Sequence, residues 1–170
     1  MGSFRNGATT QMIKNKEQSM DIRTVFKLHK MWLNGEEGGK YASLRAIDLN
    51  GVDLSHADLS GINLSESKLT GANLSGANLR DTNLSRVNLS GANLSCANLE
   101  LADLSWANLS YANLSYADLT CANLFWAELK NADVRGADLS GIESRESVFR
   151  DSLNFKLATW QEVVRKIFII

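Results

Sequence analysis

The chain contains no proline. Every residue can therefore offer a backbone amide to a hydrogen-bonded ladder, because proline alone lacks that donor. Soft metal ligands are almost as scarce, with two cysteines and two histidines in 170 residues. Cys96 and Cys121 have no partner at the spacing of a zinc site, so no metal is expected. As free thiols they suit a reducing compartment, and the expected location is the cytoplasm. Net charge is only -1, which names no nucleic-acid partner. No apolar run is long enough to span a bilayer, so no membrane partner is expected. Residues 1–19 carry no apolar core of a signal peptide. No glycine-rich phosphate loop is present; the glycines recur on a five-residue grid instead.

That grid is what the sequence does have. The stretch GANLSGANLR at 71–80 says nearly the same five letters twice. Taking the central apolar residue of each unit, centres fall at Leu44 and every fifth position to Leu139. Of these 20 centres, 19 are leucine and one is Val134. Alanine stands two residues before the centre in 14 units, and Ile47, Val52, Ile62, Ser67, Thr82 and Val87 fill the rest. The residue just before the centre is Asn in 10 units and Asp in 7. The fifth place varies most. No insertion breaks the register over 42–141.

A period of five excludes a helix. Each helical residue advances by about 100°, so successive centres would scatter around the cylinder. On a strand, residues two apart share a face, which puts Ala and Leu inside and the Asn or Asp between them outside. The next Ala then falls on the wrong face unless the chain turns once per unit. Four near-right-angle turns close a square coil of 20 residues. Coils stacked at the sheet spacing of about 4.8 Å would make five layers, roughly 24 Å tall. The fold class is therefore an all-β solenoid: a quadrilateral β-helix of about five coils.

A run of A-[DN]-L-[ST]-x units such as GANLSGANLRDTNLSRVNLSGANLSCANL at 71–99 resembles the pentapeptide-repeat family. The resemblance covers 42–141. It implies a right-handed, four-sided β-helix with the family's turn types, and short helices precede the repeats in many members.

Both ends need covering, since an open coil exposes leucines and strand edges. Residues 1–19 read as a disordered tail and 20–41 as an N-terminal cap helix. Its apolar face is Ile22, Val25, Phe26, His29, Trp32 and Leu33, with Asp21 as N-cap and Gly35 as C-cap. The β-helix is assigned to 42–152. Residues 153–170 read as a C-terminal cap helix opened by the capping pair Thr159 and Glu162. Its last residues, Ile167, Phe168, Ile169 and Ile170, either cover the last coil or form a homodimer contact.

Nothing in the pattern assembles a catalytic site or a cofactor cradle, so no enzyme activity and no cofactor are expected. His29 reads as a packed side chain and His56 as a solvated one. The repeat region is mildly acidic, with 11 acidic and 6 basic residues. Residues 20 apart should stack in columns. Glu66, Arg86, Trp106 and Trp126 form one, with Arg86 able to pair with Glu66 and to lie on Trp106. Asn73, Asn93 and Asn113 form another, suited to an amide ladder.

Large apolar residues crowd the outward positions of the later repeats. Leu101, Trp106, Tyr111, Tyr116, Phe125 and Trp126 are the candidate partner surface, alongside the bland reading that they stack on one another. The functional expectation is a non-catalytic scaffold for a protein partner. The family resemblance implies an alternative, a DNA mimic that binds a type II topoisomerase such as gyrase.

Overall fold

The computed structural model describes residues 12–15 and 18–144. Two short strands, β1 (Met12–Asn15) and β2 (Gln18–Asp21), pair antiparallel in the register Met12 to Asp21 and Asn15 to Gln18. This hairpin begins within residues 1–19, expected as a disordered tail, and runs through Asp21, two residues into the stretch expected as the cap helix, which starts at Ile22 instead. Such a pairing closes a very short loop at small entropic cost and needs no long apolar run to signal it. Helix α1 (Ile22–Leu33) follows directly.

From Ser43 onward the chain pairs with itself at a constant offset. Parallel bridges join Ser43 to Asn63, Asp48 to Lys68, and so on in steps of five to Asn123 with Glu143. The offset is always 20, so each turn of the β-helix holds four repeats. Each side contributes the same backbone bonds to its neighbour. Leu74 N–H donates to Asn93 C=O at 2.7 Å, Gly76 N–H to Ser95 C=O at 2.9 Å, and Asn93 N–H to Ala72 C=O at 2.9 Å.

The turn expected once per unit has a specific form. Ala57 N–H donates to Leu54 C=O at 3.1 Å, and His56 between them has φ +57°. A positive φ at the third residue alone is the signature of a type II turn. The same left-handed backbone recurs at every fifth position from Ala46 to Gly141; seven of these corners are glycine and 13 are not. None of the 13 is β-branched. Side chains branched at Cβ fit this region worst, so the most variable place in the repeat obeys a steric rule.

All 20 centres are buried, none more than 8% exposed. Most of the paired alanines are buried with them, so leucine and alanine form the axis. Ser67 and Thr82 replace alanine inside. The Ser67 hydroxyl donates to Leu44 C=O at 2.7 Å and accepts from Ile47 N–H at 3.2 Å, bridging that turn. Thr82 donates to Leu59 C=O at 2.9 Å.

The Asn and Asp residues have a local task as well as a ladder. Their Oδ1 accepts the amide two residues on, as Asp53 does from Ser55 at 3.1 Å and Asn113 from Ser115 at 3.0 Å. This Asx turn shapes the corner from its own residues. Asn can donate at the same time. Asn73 donates to Asp53 at 3.0 Å, and Asn93 and Asn113 each donate one coil down at 3.3 Å. Asp lacks that donor, which is why Asp53 and Asp58 serve as acceptors beneath Asn73 and Asn78.

Helix α1 packs Ile22, Val25 and Phe26 against the core. Its C-terminus is a Schellman motif: Glu36 N–H reaches Met31 C=O at 2.8 Å and Gly35 N–H reaches Trp32 C=O at 3.0 Å, with Gly35 at φ +69°. The chain then returns along the helix, and Lys40 N–H donates to Leu28 C=O at 2.9 Å. Gly39 makes that return feasible, since a methyl there would lie 2.3 Å from the Trp32 nitrogen. His29 pins the helix to the first coil. Its Nδ1 accepts from Ala42 N–H at 3.1 Å, so its Nε2 carries the proton and donates to Ser60 C=O at 2.9 Å.

Candidate functional site

Side chains at the corners lean along the axis toward the next coil. The His56 ring covers Gly76, where a methyl would meet its Nδ1 at 2.6 Å. The Tyr116 ring covers Gly136 in the same manner, and Cys121 Sγ lies over Gly141. Glycine on the following coil leaves room for each.

One corner carries no glycine. Ala46, Glu66, Arg86, Trp106 and Trp126 follow one another up it, each with left-handed φ. The Trp106 and Trp126 rings stack at 5.3 Å between centroids and 18° between planes. The Arg86 guanidinium lies 5.5 Å from the Trp106 ring centroid, a cation–π contact. Phe125 sits beside them, its C=O accepting from Trp106 N–H at 2.9 Å. Glu66 pairs with Arg45 at 2.8 Å rather than with the Arg86 expected from the column alone. Arg45 stands 21 positions earlier and reaches up the same edge. The Glu66 hydrogen bond and charge push the Arg45 guanidinium up from its ordinary pKa.

The six expected surface residues are all exposed, from 36% for Phe125 to 70% for Tyr116. They do not form one face. Leu101, Trp106, Tyr111 and Tyr116 are successive fifth positions, so they occupy four different corners of a single turn. Trp106, Phe125 and Trp126 come together on one edge, with Arg86 joining them. Ile167, Phe168, Ile169 and Ile170, the expected dimer contact, lie outside the described residues.

A second exposed aromatic group lies at the opposite end; Trp32 belongs to the expected helix face, and Tyr41 is not among the expected site residues. Trp32 and Tyr41 meet edge to face at 5.1 Å, and both flank His29, at 5.6 and 5.5 Å. Tyr41 precedes Gly61 by one full turn, a signal visible in the numbering alone. Lys30 ties the helix to the first coil through Asp58 at 3.2 Å. Burial works to raise the Asp58 carboxyl, but the Ser60 hydroxyl, Lys30 and the Ser60 amide outweigh it and hold the group below its ordinary value. The Ser55 amide and hydroxyl do the same for Asp53.

Among the described residues no group of His, Cys, Asp and Glu is placed to hold a metal ion. Cys96 and Cys121 are free and exposed on adjacent corners. No helix among the described residues is long and apolar enough to cross a membrane.

Among curated proteins, none matches the sequence. Solved structures do. The pentapeptide repeat protein Rfr23 from the cyanobacterium Cyanothece 51142 is 27% identical over 74% of this chain and 95% of its own, with a TM-score of 0.54. A pentapeptide repeat protein of the Arabidopsis thaliana thylakoid lumen is 30% identical over 72% of this chain and 77% of its own, with a TM-score of 0.48. QnrB1, a plasmid-mediated fluoroquinolone resistance protein, is 18% identical over 78% of this chain and 76% of its own, with a TM-score of 0.32. The profile described as Pentapeptide repeats (8 copies) matches residues 47–86, 82–119 and 102–141. With that profile spanning more than half of its residues, the chain belongs to the pentapeptide repeat family, whose members fold as right-handed β-helices.

Proposed function

We propose that this chain is a non-catalytic scaffold that binds a protein through the Arg86–Trp106–Trp126 edge, with Phe125 beside it. The observation that carries the reading is the indole stack, with Trp106 and Trp126 still 53% and 48% exposed. Trp and Arg are the residue types that dominate binding hot spots. Rings already fixed by stacking lose little freedom when a partner arrives. On this reading about five coils make the rod and α1 closes its first end; residues 153–170, expected as the C-terminal cap helix, lie outside the described residues. The two free thiols fit a cytoplasmic setting.

A duplex mimic acting on a type II topoisomerase would want a continuous acidic face. Here Arg80 pairs with Glu100 and Arg135 with Asp133, and neutral Asn rungs interrupt the Asp columns. Charge therefore favours the scaffold.

Affinity capture from the native host lysate tests the proposal with three baits: the wild type, Trp106→Ser/Trp126→Ser, and Tyr111→Ser on another corner. The wild type and Tyr111→Ser should retain the same partner, and the double variant should lose it while keeping a cooperative thermal melt. Retention by the folded double variant would overturn the assignment. A supercoiling assay with excess protein should show neither protection nor inhibition of the topoisomerase.

A further inference from the structure

The described residues include two Asn–Gly pairs, Asn34–Gly35 and Asn50–Gly51. This dipeptide is chemically vulnerable, because an unhindered glycine nitrogen can attack the preceding carboxamide. The two pairs are held in different ways. Asn50 Oδ1 accepts from Thr70 N–H at 2.9 Å, and Gly51 N–H donates to Thr70 C=O at 2.9 Å. Both reacting groups are thus tied to the next coil. Freeing them requires two coils to separate.

Asn34 is exposed at the C-terminus of α1. Its Nδ2 donates to Glu36 at 2.8 Å, and Gly35 N–H donates to Trp32 C=O at 3.0 Å. Both bonds lie in one terminal helical turn at the surface. Nothing stands within 4 Å of the place where a Gly35 side chain would be. Helix ends open locally at far lower free energy than a paired core.

We infer that Asn34 is a site of spontaneous modification, converting to aspartate and isoaspartate through a cyclic imide, while Asn50 is protected by the β-helix. The Gly35 nitrogen gives its proton to hydroxide and attacks Asn34 Cγ. A C–N bond forms, the Cγ–Nδ2 bond breaks, and ammonia leaves with a proton from water. Water then adds to either carbonyl of the five-membered ring and opens it. The product carries a new negative charge at a helix C-terminus, where the dipole disfavours it, and next to Glu36. Isoaspartate also lengthens the main chain inside the Schellman motif. Modification should therefore loosen the return segment that brings Gly39 and Lys40 onto the helix.

The test is incubation of the full chain at mildly alkaline pH, followed by peptide mapping by mass spectrometry. Isoaspartate is counted by enzymatic carboxyl methylation. Modification at Asn34 should exceed that at Asn50 by roughly tenfold or more, the gap expected between local and subglobal opening. In urea-unfolded chain the two rates should converge. Asn34→Gln should remove the methylatable product from the peptide that carries position 34, which mapping keeps apart from the third Asn–Gly pair of the sequence, Asn6–Gly7. Equal rates in the folded chain, a faster Asn50, or no modification at Asn34 would each overturn the inference.

Discussion

Trp126 lies one full turn above Trp106, and the two indoles stack at 5.3 Å and 18°. The contact is a direct consequence of the offset of 20 between bridged residues. Above Arg86 it turns one corner into a continuous column of π-faces, with a cation at its foot.

Coupled indoles give an exciton signal in circular dichroism. Trp106→Ser and Trp126→Ser should each abolish that signal completely, since either change removes the pair. Both are exposed positions, so each should alter stability by no more than about 0.5 kcal/mol. A signal that survives either substitution would contradict the stack.

The corners make a second test. Leu101 adopts φ +60° while 46% exposed, so it bears left-handed strain with little burial in return. Leu101→Gly should leave stability unchanged or raise it by up to about 1 kcal/mol. Gly91→Val should lower it by more than about 1 kcal/mol, even though nothing lies within 4 Å of that site. Thermal melting reads both. A tolerated valine would remove the steric rule for corners.

His29 supplies a third. It is 2% exposed and satisfies both Ala42 N–H and Ser60 C=O. His29→Ala should strand both groups and cost about 1–3 kcal/mol. Hydrogen exchange should quicken first at Lys40, whose amide bonds to Leu28, while Leu94 and its neighbours stay protected. Uniform loss across the whole rod would contradict a local role.

Acid should weaken the same junction. Asp58 is held below its ordinary 3.8 in the folded chain. The unfolded chain therefore takes up the proton more readily. The Asp58 contribution is present above about pH 4 and is lost as pH falls through the lowered value. Wild type should melt higher than Asp58→Asn near neutrality, and the gap should close in acid. A gap that widens on acidification would reverse the assignment.

The winding was legible because leucine repeats at an interval no helix or straight strand can bury. The Asn columns were legible once the turn of 20 was known. Arg86 and Glu66 show what the columns could not tell. Arg45 leans up to Glu66 and Arg86 leans up to Trp106, so the direction of lean, not adjacency alone, selects partners. The aromatic residues cluster in sequence at an interval of five, and five is one side of a square. Proximity along the chain therefore sends Leu101, Trp106, Tyr111 and Tyr116 to separate corners. The left-handed corners were only partly legible. Glycines recur on the five-residue grid, but Asx turns and inter-coil bonds hold the backbone there, so other side chains are accepted and glycine marks only seven of the 20 corners.

The winding itself is open to a direct measurement. Ser90 Oγ lies 3.5 Å from Thr70 Oγ1 on adjacent coils. Cysteines at 70 and 90, in a chain also carrying Cys96→Ser and Cys121→Ser, should close a disulfide readily under mild oxidation and stabilise the fold by up to about 3 kcal/mol. Cysteines at 70 and 95, on adjacent sides, should stay reduced. Closure of the second pair in place of the first would contradict a turn of 20 residues.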